Sequence, residues 1–447
     1  MSLSLKGQKK LTISNVFCFW LPLSASWLLM AVGSPTVNAF VARMSGAELQ
    51  LAALGIALSL TIMIQGPIII LLTVSNAMAR DRDSFRLLRR FTLGLIALLT
   101  AAMLLLSLTP LFDLVVLRLI GAPAEVAVLV RPALLAMILR PAAIAYRRFR
   151  QGVMIRYGYT RQVSYGTAIR TFTCVSVSAL GLMWGKLDGA IVGALALTMD
   201  VMLEAVGTHY FSRPAVWEVE MVSRSPDVPA VTLRALLEFY LPLALTSMIT
   251  LSTGPLINFA LARSPHPILS LAAWPVVKGQ VYIVLSFGRS FQEVVVALLG
   301  NAAAAKTLRR FAVMLVAGSL ALLLVIAFTP LAPLWLQRIA GLSEELALFA
   351  IPALRLATLM PVLAVTQSWL RGVAITGKAV GAIAQATAIN LAVLTTMLLV
   401  GAQGGWLPGA SLAAVALTGS QLAECVWLWH GARPVRQQIG DRAWVRV

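Results

Sequence analysis

Long apolar runs, each close to the length of a membrane crossing and separated by short polar stretches, follow one another along almost the whole chain. A helix needs about 20 apolar residues to cross about 30 Å of hydrocarbon. On that measure the pattern predicts twelve spanning helices, over roughly 16–42, 49–77, 88–117, 125–146, 162–184, 187–211, 236–262, 269–299, 309–336, 344–368, 380–402 and 406–430. The first run follows Lys6, Lys9 and Lys10 and leads into "LSASW", which imitates a signal peptide. It is longer than a signal peptide's apolar segment, and a second copy of it occurs later, so it is read as the first span.

That second copy defines the architecture. "FWLPLSASWLLMAVGSPTVNAFVAR" from Phe19 returns as "FYLPLALTSMITLSTGPLINFALAR" from Phe239, an offset of 220 residues. Pro22, Pro35, Asn38 and Arg43 recur as Pro242, Pro255, Asn258 and Arg263, and the same offset carries Leu88-Arg89-Arg90-Phe91 onto Leu308-Arg309-Arg310-Phe311. It also carries Thr109-Pro110-Leu111 onto Thr329-Pro330-Leu331, Gly152-Val153 onto Gly372-Val373, and Glu204 onto Glu424. Six of the eight prolines in the first 220 residues recur, which chance does not produce when Pro is about 5% of positions. The predicted fold is an all-α integral membrane protein of two parallel six-helix repeats. The N-terminal lobe spans 1–211, a linker 212–235, the C-terminal lobe 236–430 and a tail 431–447. An even number of crossings per repeat implies a pseudo-two-fold axis along the membrane normal, with a site between the lobes near the midplane.

Composition agrees: 59% of the 447 residues are hydrophobic and 12% charged, against about a quarter charged in a soluble domain. Such a chain cannot cover itself with polar surface in water. A cytosolic enzyme, a secreted disulfide scaffold and a disordered regulator are excluded, and the lipid bilayer is the expected surrounding. A net charge of +19 would suggest nucleic acid in a soluble protein. Here the basic residues segregate by loop, 25 Lys and Arg on the side of the termini against six on the other, so no nucleic-acid partner is expected. By the positive-inside rule both termini are cytoplasmic, in a plasma (inner) membrane. Cys18, Cys174 and Cys425 and His209, His266 and His430 are scattered singly, so neither a disulfide framework nor a metal site is expected.

Five basic residues remain inside the predicted spans: Arg140, Arg170, Lys278, Arg289 and Arg355. A charge at the centre of a membrane helix costs about 2.5–3.5 kcal/mol or more, so such groups face a cavity, pair with an acid or snorkel to an interface. Lys278, Tyr282, Arg289 and Glu293 share one stripe of the eighth span. Their duplicates include Leu58, Ile69 and Thr73, so the charge belongs to one lobe. An ion pair between Arg289 and Glu293 accounts for part of the stripe. It leaves Lys278 and Arg355 without an acid at i±3 or i±4. Excess positive charge facing a cavity favours an anionic substrate, with Lys278, Tyr282, Arg289 and Arg355 as its ligands. Asp200 and Glu204 lie one turn apart in the sixth span, with Arg140 and Arg170 on the fourth and fifth. Either they lock internally with those arginines, or Asp200, which becomes Ser420 in the second copy, carries a coupling ion. Glu293 is the other coupling candidate. Pro35, Pro255, Asn38 and Asn258 mark the far ends of the leading helices, as gate elements or as partners for backbone groups that proline frees.

The Phe-(Trp/Tyr)-Leu-Pro-Leu leading helix and the 6+6 duplication resemble the multidrug/oligosaccharidyl-lipid/polysaccharide (MOP) exporter superfamily. "RRFRQGVMIRYGYTR" (147–161) and "WLRGVAITGKA" (369–379) resemble the fourth-to-fifth helix loops of MATE-like exporters. "FYLPLAL" (239–245), "GPLINFALAR" (254–263) and "AAWPV" (272–276) resemble the progressive-ankylosis (ANK) branch. The resemblance implies two six-helix bundles, export by alternating access coupled to H⁺ or Na⁺, no other cofactor, and in the ANK branch an organic anion as cargo. One departure stands out: residues 16–42 hold no acid, whereas the drug-exporting branch often has one there for ion coupling.

The expectation is a monomeric secondary exporter of a small organic anion. Its competitors are a flippase for a lipid-linked sugar pyrophosphate and a MATE-type multidrug antiporter, whose cavity would want acids where this one has bases. A major-facilitator carrier would show a glycine-rich second-to-third loop, which "SNAMARDRDSFRLLRR" is not. A membrane enzyme would need a catalytic cluster, and none is legible.

Overall fold

The computed structural model describes residues 11–223, 230–300, 302–377 and 379–431. Residues 224–229 of the linker and the tail from 432 onward lie outside the described residues. Among the described residues, twelve helical spans, the broken ones taken whole, are long and apolar enough to cross a membrane, as the apolar pattern predicts. The first lobe comprises α1 (Ile13–Val41), α2 (Ala47–Ile64), α3 (Gly66–Ile69), α4 (Leu71–Met78), α5 (Arg82–Leu108), α6 (Ala124–Ala136), α7 (Arg140–Arg156), α8 (Thr160–Trp184) and α9 (Gly189–Phe211). After α10 (Arg213–Met221) the second lobe follows as α11 (Leu233–Leu251), α12 (Thr253–Ala262), α13 (Pro267–Arg289), α14 (Phe291–Leu298), α15 (Ala302–Phe328) and α16 (Leu331–Pro333). It ends with α17 (Glu344–Leu356), α18 (Met360–Thr376), α19 (Val380–Gly404) and α20 (Gly409–Gly431).

Local signals explain the boundaries, and most are duplicated. Thr12 and Thr232, 220 apart, cap α1 and α11 by accepting from the amides of Asn15 (3.3 Å) and Ala235 (3.2 Å). The second span of each lobe bends where its helix is interrupted at Ile70 or its duplicate Ser290. Thr109-Pro110 and Thr329-Pro330 end the third spans, which continue as π-helical segments Asp113–Ile120 and Leu334–Ile339. The predicted third span, 88–117, is therefore shifted: α5 starts at Arg82 on an Asp81–Ser84 capping box. The fourth span runs to Arg156, ten residues past its predicted end, and takes Arg147, Arg148 and Arg150 out of the expected loop and into a helix. The linker also carries structure, since α10 buries Ala215 and Val219 against the first lobe.

In lipid no hydrophobic gain holds helices together, so close packing must do so. A Cβ at Gly152 would lie 2.5 Å from the Leu72 carbonyl oxygen, so α7 and α4 approach backbone to backbone. Chain order does not delimit the packing. Val16 and Trp20 of α1 sit in a cluster of the second lobe with Phe291, Phe311 and Trp369. Their duplicates Leu236 and Tyr240 of α11 sit in a cluster of the first lobe with Phe85 and Phe149. Each lobe thus lends its leading helix to the other at the end that carries the termini.

Candidate functional site

At the far end, away from the termini, the lobes are joined by two pairs of duplicated residues. Asn38 Nδ2 donates to the Pro275 carbonyl (3.2 Å), and Asn258 Nδ2 donates to Ser59 Oγ (2.7 Å) and the Gly55 carbonyl (3.5 Å). Gly55 and Pro275 are themselves 220 apart and touch, because a Cβ at Gly55 would come within 2.8 Å of the Pro275 ring. The two asparagines bind across the seam. Neither serves its own helix's proline, which was one expectation for them.

Beyond them, Arg43 Nη2 donates to the carbonyls of Arg338 (2.7 Å) and Ile339 (3.0 Å). Arg263 returns the contact, donating to the carbonyls of Arg118 (3.2 Å), Leu119 (3.1 Å) and, at shorter range, Ile120. These carbonyls end the two π-helical segments, where backbone acceptors lack intrahelical partners and the helix end is negative. Gly121 and Gly341 follow at positive φ, and a Cβ at either would strike the guanidinium. Ser343 Oγ adds a bond to Glu48 Oε1 (3.3 Å) between the lobes.

Toward the terminal end α4 packs on α7 within the first lobe and α14 on α18 within the second, with no substantial packing between the two pairs among the described residues. One face of α13 carries Pro275, Lys278, Gly279, Tyr282 and Arg289 at helical spacing. Position 275 meets Gly55, and position 279 meets Pro35. Lys278 is therefore on the seam face just past the closure. Its side chain reaches solvent-accessible space although it lies deep among the helices, and among the described residues it has neither hydrogen bond nor ion pair. The Arg289 guanidinium sits 4.6 Å from the centre of the Tyr282 ring. Arg289 and Glu293 form no ion pair, since the helix is interrupted between them at Ser290. Glu293 instead accepts from Trp27 Nε1 of α1 at 3.2 Å.

Arg355 is not part of this group. Its Nε donates to the Ala327 carbonyl (3.2 Å) and its guanidinium lies 5.4 Å from the ring centre of exposed Phe328, at the far end of α15. Its contacts are thus with α15 of its own lobe, and among the described residues no hydrogen bond, ion pair or ring contact joins it to Lys278 or Arg289, with which the sequence grouped it.

The first lobe holds a second polar space, a partly open chamber of about 210 Å³ between α1, α4, α7, α8 and α9. Asp200 is buried on its wall, bonded to Arg170 (2.9 Å) and 3.7 Å from Arg140, which is the internal lock allowed for above. Glu204 accepts from Arg147, at short range, and from Gln151 (3.4 Å). In the second lobe Glu424 accepts from Gln367 (3.0 Å), Asn390 (3.0 Å) and, at 2.9 Å and closer, Arg371. Positions 147 and 151 correspond to 367 and 371, so Arg and Gln have changed places while both lobes keep an Arg-and-Gln grip on the duplicated glutamate. Arg147 and Arg371 were assigned to loops from sequence. The reciprocal i, i+4 exchange opposite a duplicated acid was the available signal.

Comparison of the sequence with protein-family models and with curated proteins returns no match. Solved structures do match. A multidrug-resistance MATE transporter of the MOP superfamily in an inward-facing conformation superposes with a TM-score of 0.68 at 14% identity, over 95% of this chain and 99% of that one. A MATE transporter in an outward-facing conformation gives 0.55 at 14% identity, over 97% of each chain. The lipid II flippase MurJ in an inward closed conformation gives 0.64 at 12% identity, over 94% of this chain and 86% of that one. These superpositions, over at least 94% of this chain, show that it has the fold of the MATE transporters and of MurJ.

Proposed function

We propose that the chain is a secondary exporter that carries a small organic anion out of the cytoplasm by alternating access between its two lobes. The observation that carries the reading is Lys278, a cation without a counter-ion on the seam face beneath a closed far end. A charge within a membrane-spanning helix is normally paired or faces a cavity, and one left unpaired beside an opening offers an anion its binding energy. Tyr282 and Arg289 extend the same face. The far end is then extracytoplasmic and both termini cytoplasmic, and the arrangement is inward-facing, in keeping with the better superposition on the inward-facing MATE structure. Coupling to H⁺ or Na⁺ falls to Glu293 rather than Asp200, because Glu293 is exposed and bridges the lobes through Trp27 whereas Asp200 is held by two arginines. Placement beside the ANK branch rests on the short stretches at 239–245, 254–263 and 272–276 and belongs to this proposal.

Thermal stability of the detergent-purified protein against citrate, pyrophosphate, ATP and cationic dyes tests it, because a ligand that binds the native state raises stability with its concentration. Stabilisation by an anion that is lost in Lys278→Ala supports the reading. Stabilisation by dyes alone overturns it in favour of drug efflux, and silence from every soluble compound redirects it to a lipid-linked pyrophosphate, the reading that the MurJ superposition favours.

A further inference from the structure

We infer that the chamber in the first lobe is a binding site for a small oxyanion that also carries a hydroxyl, such as hydrogen phosphate or a short hydroxycarboxylate. Arg148 is the principal ligand. The inference deepens the anion reading above but stands on different residues.

Charge comes first. Arg147, Arg148, Arg170 and the neighbouring Arg140 face two acids, Asp200 and Glu204, an excess of two positive charges in one buried region. The acids are already engaged by the other three arginines. Arg148 is left over: it lines the chamber and makes neither hydrogen bond nor ion pair among the described residues, and its Nε is shut off from solvent. A guanidinium presents five donors in a planar fork that suits carboxylate and phosphate oxygens.

The unmet hydrogen bonds specify the ligand further. Besides the Nε of Arg148, the chamber wall holds the buried Nε of Arg147 without a hydrogen-bond partner, and Asp200 Oδ1, which has the 3.7 Å ionic contact to Arg140 but accepts no hydrogen bond. Donors without acceptors call for an oxyanion, and a carboxylate oxygen that has an ionic contact but no hydrogen bond favours a hydroxyl on the same molecule. Thr167 and Thr171 on the same wall can serve either need.

Size sets the limit. About 210 Å³ has room for a small anion and a few waters. It falls below the roughly 300–1,000 Å³ of sites for drug-sized molecules. The second lobe lacks the feature, because the duplicates of Arg140, Arg148, Arg170 and Asp200 are Met360, Ser368, Asn390 and Ser420, leaving one arginine against one glutamate. An anion site that belongs to the fold alone would appear in both lobes.

The test is titration calorimetry on the purified full chain with two pairs of probes that differ in the hydroxyl, phosphate against sulfate and malate against succinate. Wild type is expected to favour the hydroxyl-bearing member of each pair by about fivefold or more, the discrimination expected when a buried acceptor is left unmet. Arg148→Gln is expected to weaken binding at least about tenfold, while Arg234→Gln, at an exposed arginine paired with Glu238 outside the chamber, leaves it unchanged. Should Arg148→Gln fail to fold, Gly33→Leu replaces it. A Cβ at Gly33 meets nothing within 4 Å, and the added side chain would occupy the chamber without altering a charge. Binding lost in Lys278→Ala and kept in the chamber variants would overturn this inference and leave the exporter proposal standing. Equal response to all four probes, or to none, would also overturn it and leave water as the chamber's content.

Discussion

The two arginine clasps make the sharpest prediction. Arg43 and Arg263 each donate at least two hydrogen bonds across the seam, to carbonyls that end a π-helical segment of the opposite lobe. A hydrogen bond involving a charged group contributes about 1.5–3 kcal/mol net. Both clasps are exposed, so water competes and about 1.5 kcal/mol per arginine is the appropriate end of that range. The sites share no partner, so their effects should add. Arg43→Gln with Arg263→Gln then removes about 3 kcal/mol of closure, a shift of about 150-fold, which would bring a closed-to-open ratio of about 99:1 to near parity.

Far-end opening is read by replacing the three cysteines, placing one at position 278 and labelling with a membrane-impermeant maleimide. In the parent, labelling should be slow from the far side and fast from the side of the termini. The double variant should bring the two rates close to equal, and each single variant should raise far-side labelling about 10-fold. Arg→Lys at either position should recover less than half the effect, because an ammonium cannot span two carbonyls as a guanidinium does. Far-side labelling that stays at the parent rate in the double variant would refute the reasoning and assign closure to Asn38, Asn258 and the Gly55–Pro275 contact instead.

Further outcomes follow from the same geometry. Arg147→Gln should cost about 3–5 kcal/mol by leaving Glu204 buried without its cation, and adding Gln151→Arg, which copies the second lobe's arrangement, should restore most of it in thermal unfolding. Gly152→Ala should destabilise by about 1–3 kcal/mol through overpacking. It should cost more than Gly372→Ala, because the first collides with the Leu72 backbone and the second chiefly with the Val295 side chain. Glu293→Gln should flatten the pH dependence of transport in proteoliposomes while leaving anion binding within about twofold, and a retained pH profile would remove Glu293 from coupling. Arg355→Gln should leave binding of every anion unchanged, and a loss comparable to that in Lys278→Ala would return it to the site.

How much of this was legible in the chain follows from what the duplication preserves. Residues that repeat hold the fold: the Thr12 and Thr232 caps, the Asn38 and Asn258 bridges, the Arg43 and Arg263 clasps and the Glu204 and Glu424 anchors all recur at 220. Their positions could be read from the sequence, but apart from the caps, which bind amides three residues on, their partners could not, because those partners are far away in the chain and the lobes exchange their leading helices. Hydropathy also hid the chamber. Arg147 and Arg148 raised the polarity of 147–156 enough to mark it as a loop, whereas paired or cavity-facing arginines are tolerated at the end of a membrane helix. The residues that do not repeat carry the opposite message. Lys278 stands where the first lobe has Leu58, Arg148 where the second has Ser368, and Asp200 where the second has Ser420. Each is a charge that its duplicate shows the fold does not need. A polar group retained at a cost to stability, in one lobe only and beside a cavity, is explained by a ligand more economically than by packing, and the two lobes of this chain supply the comparison internally.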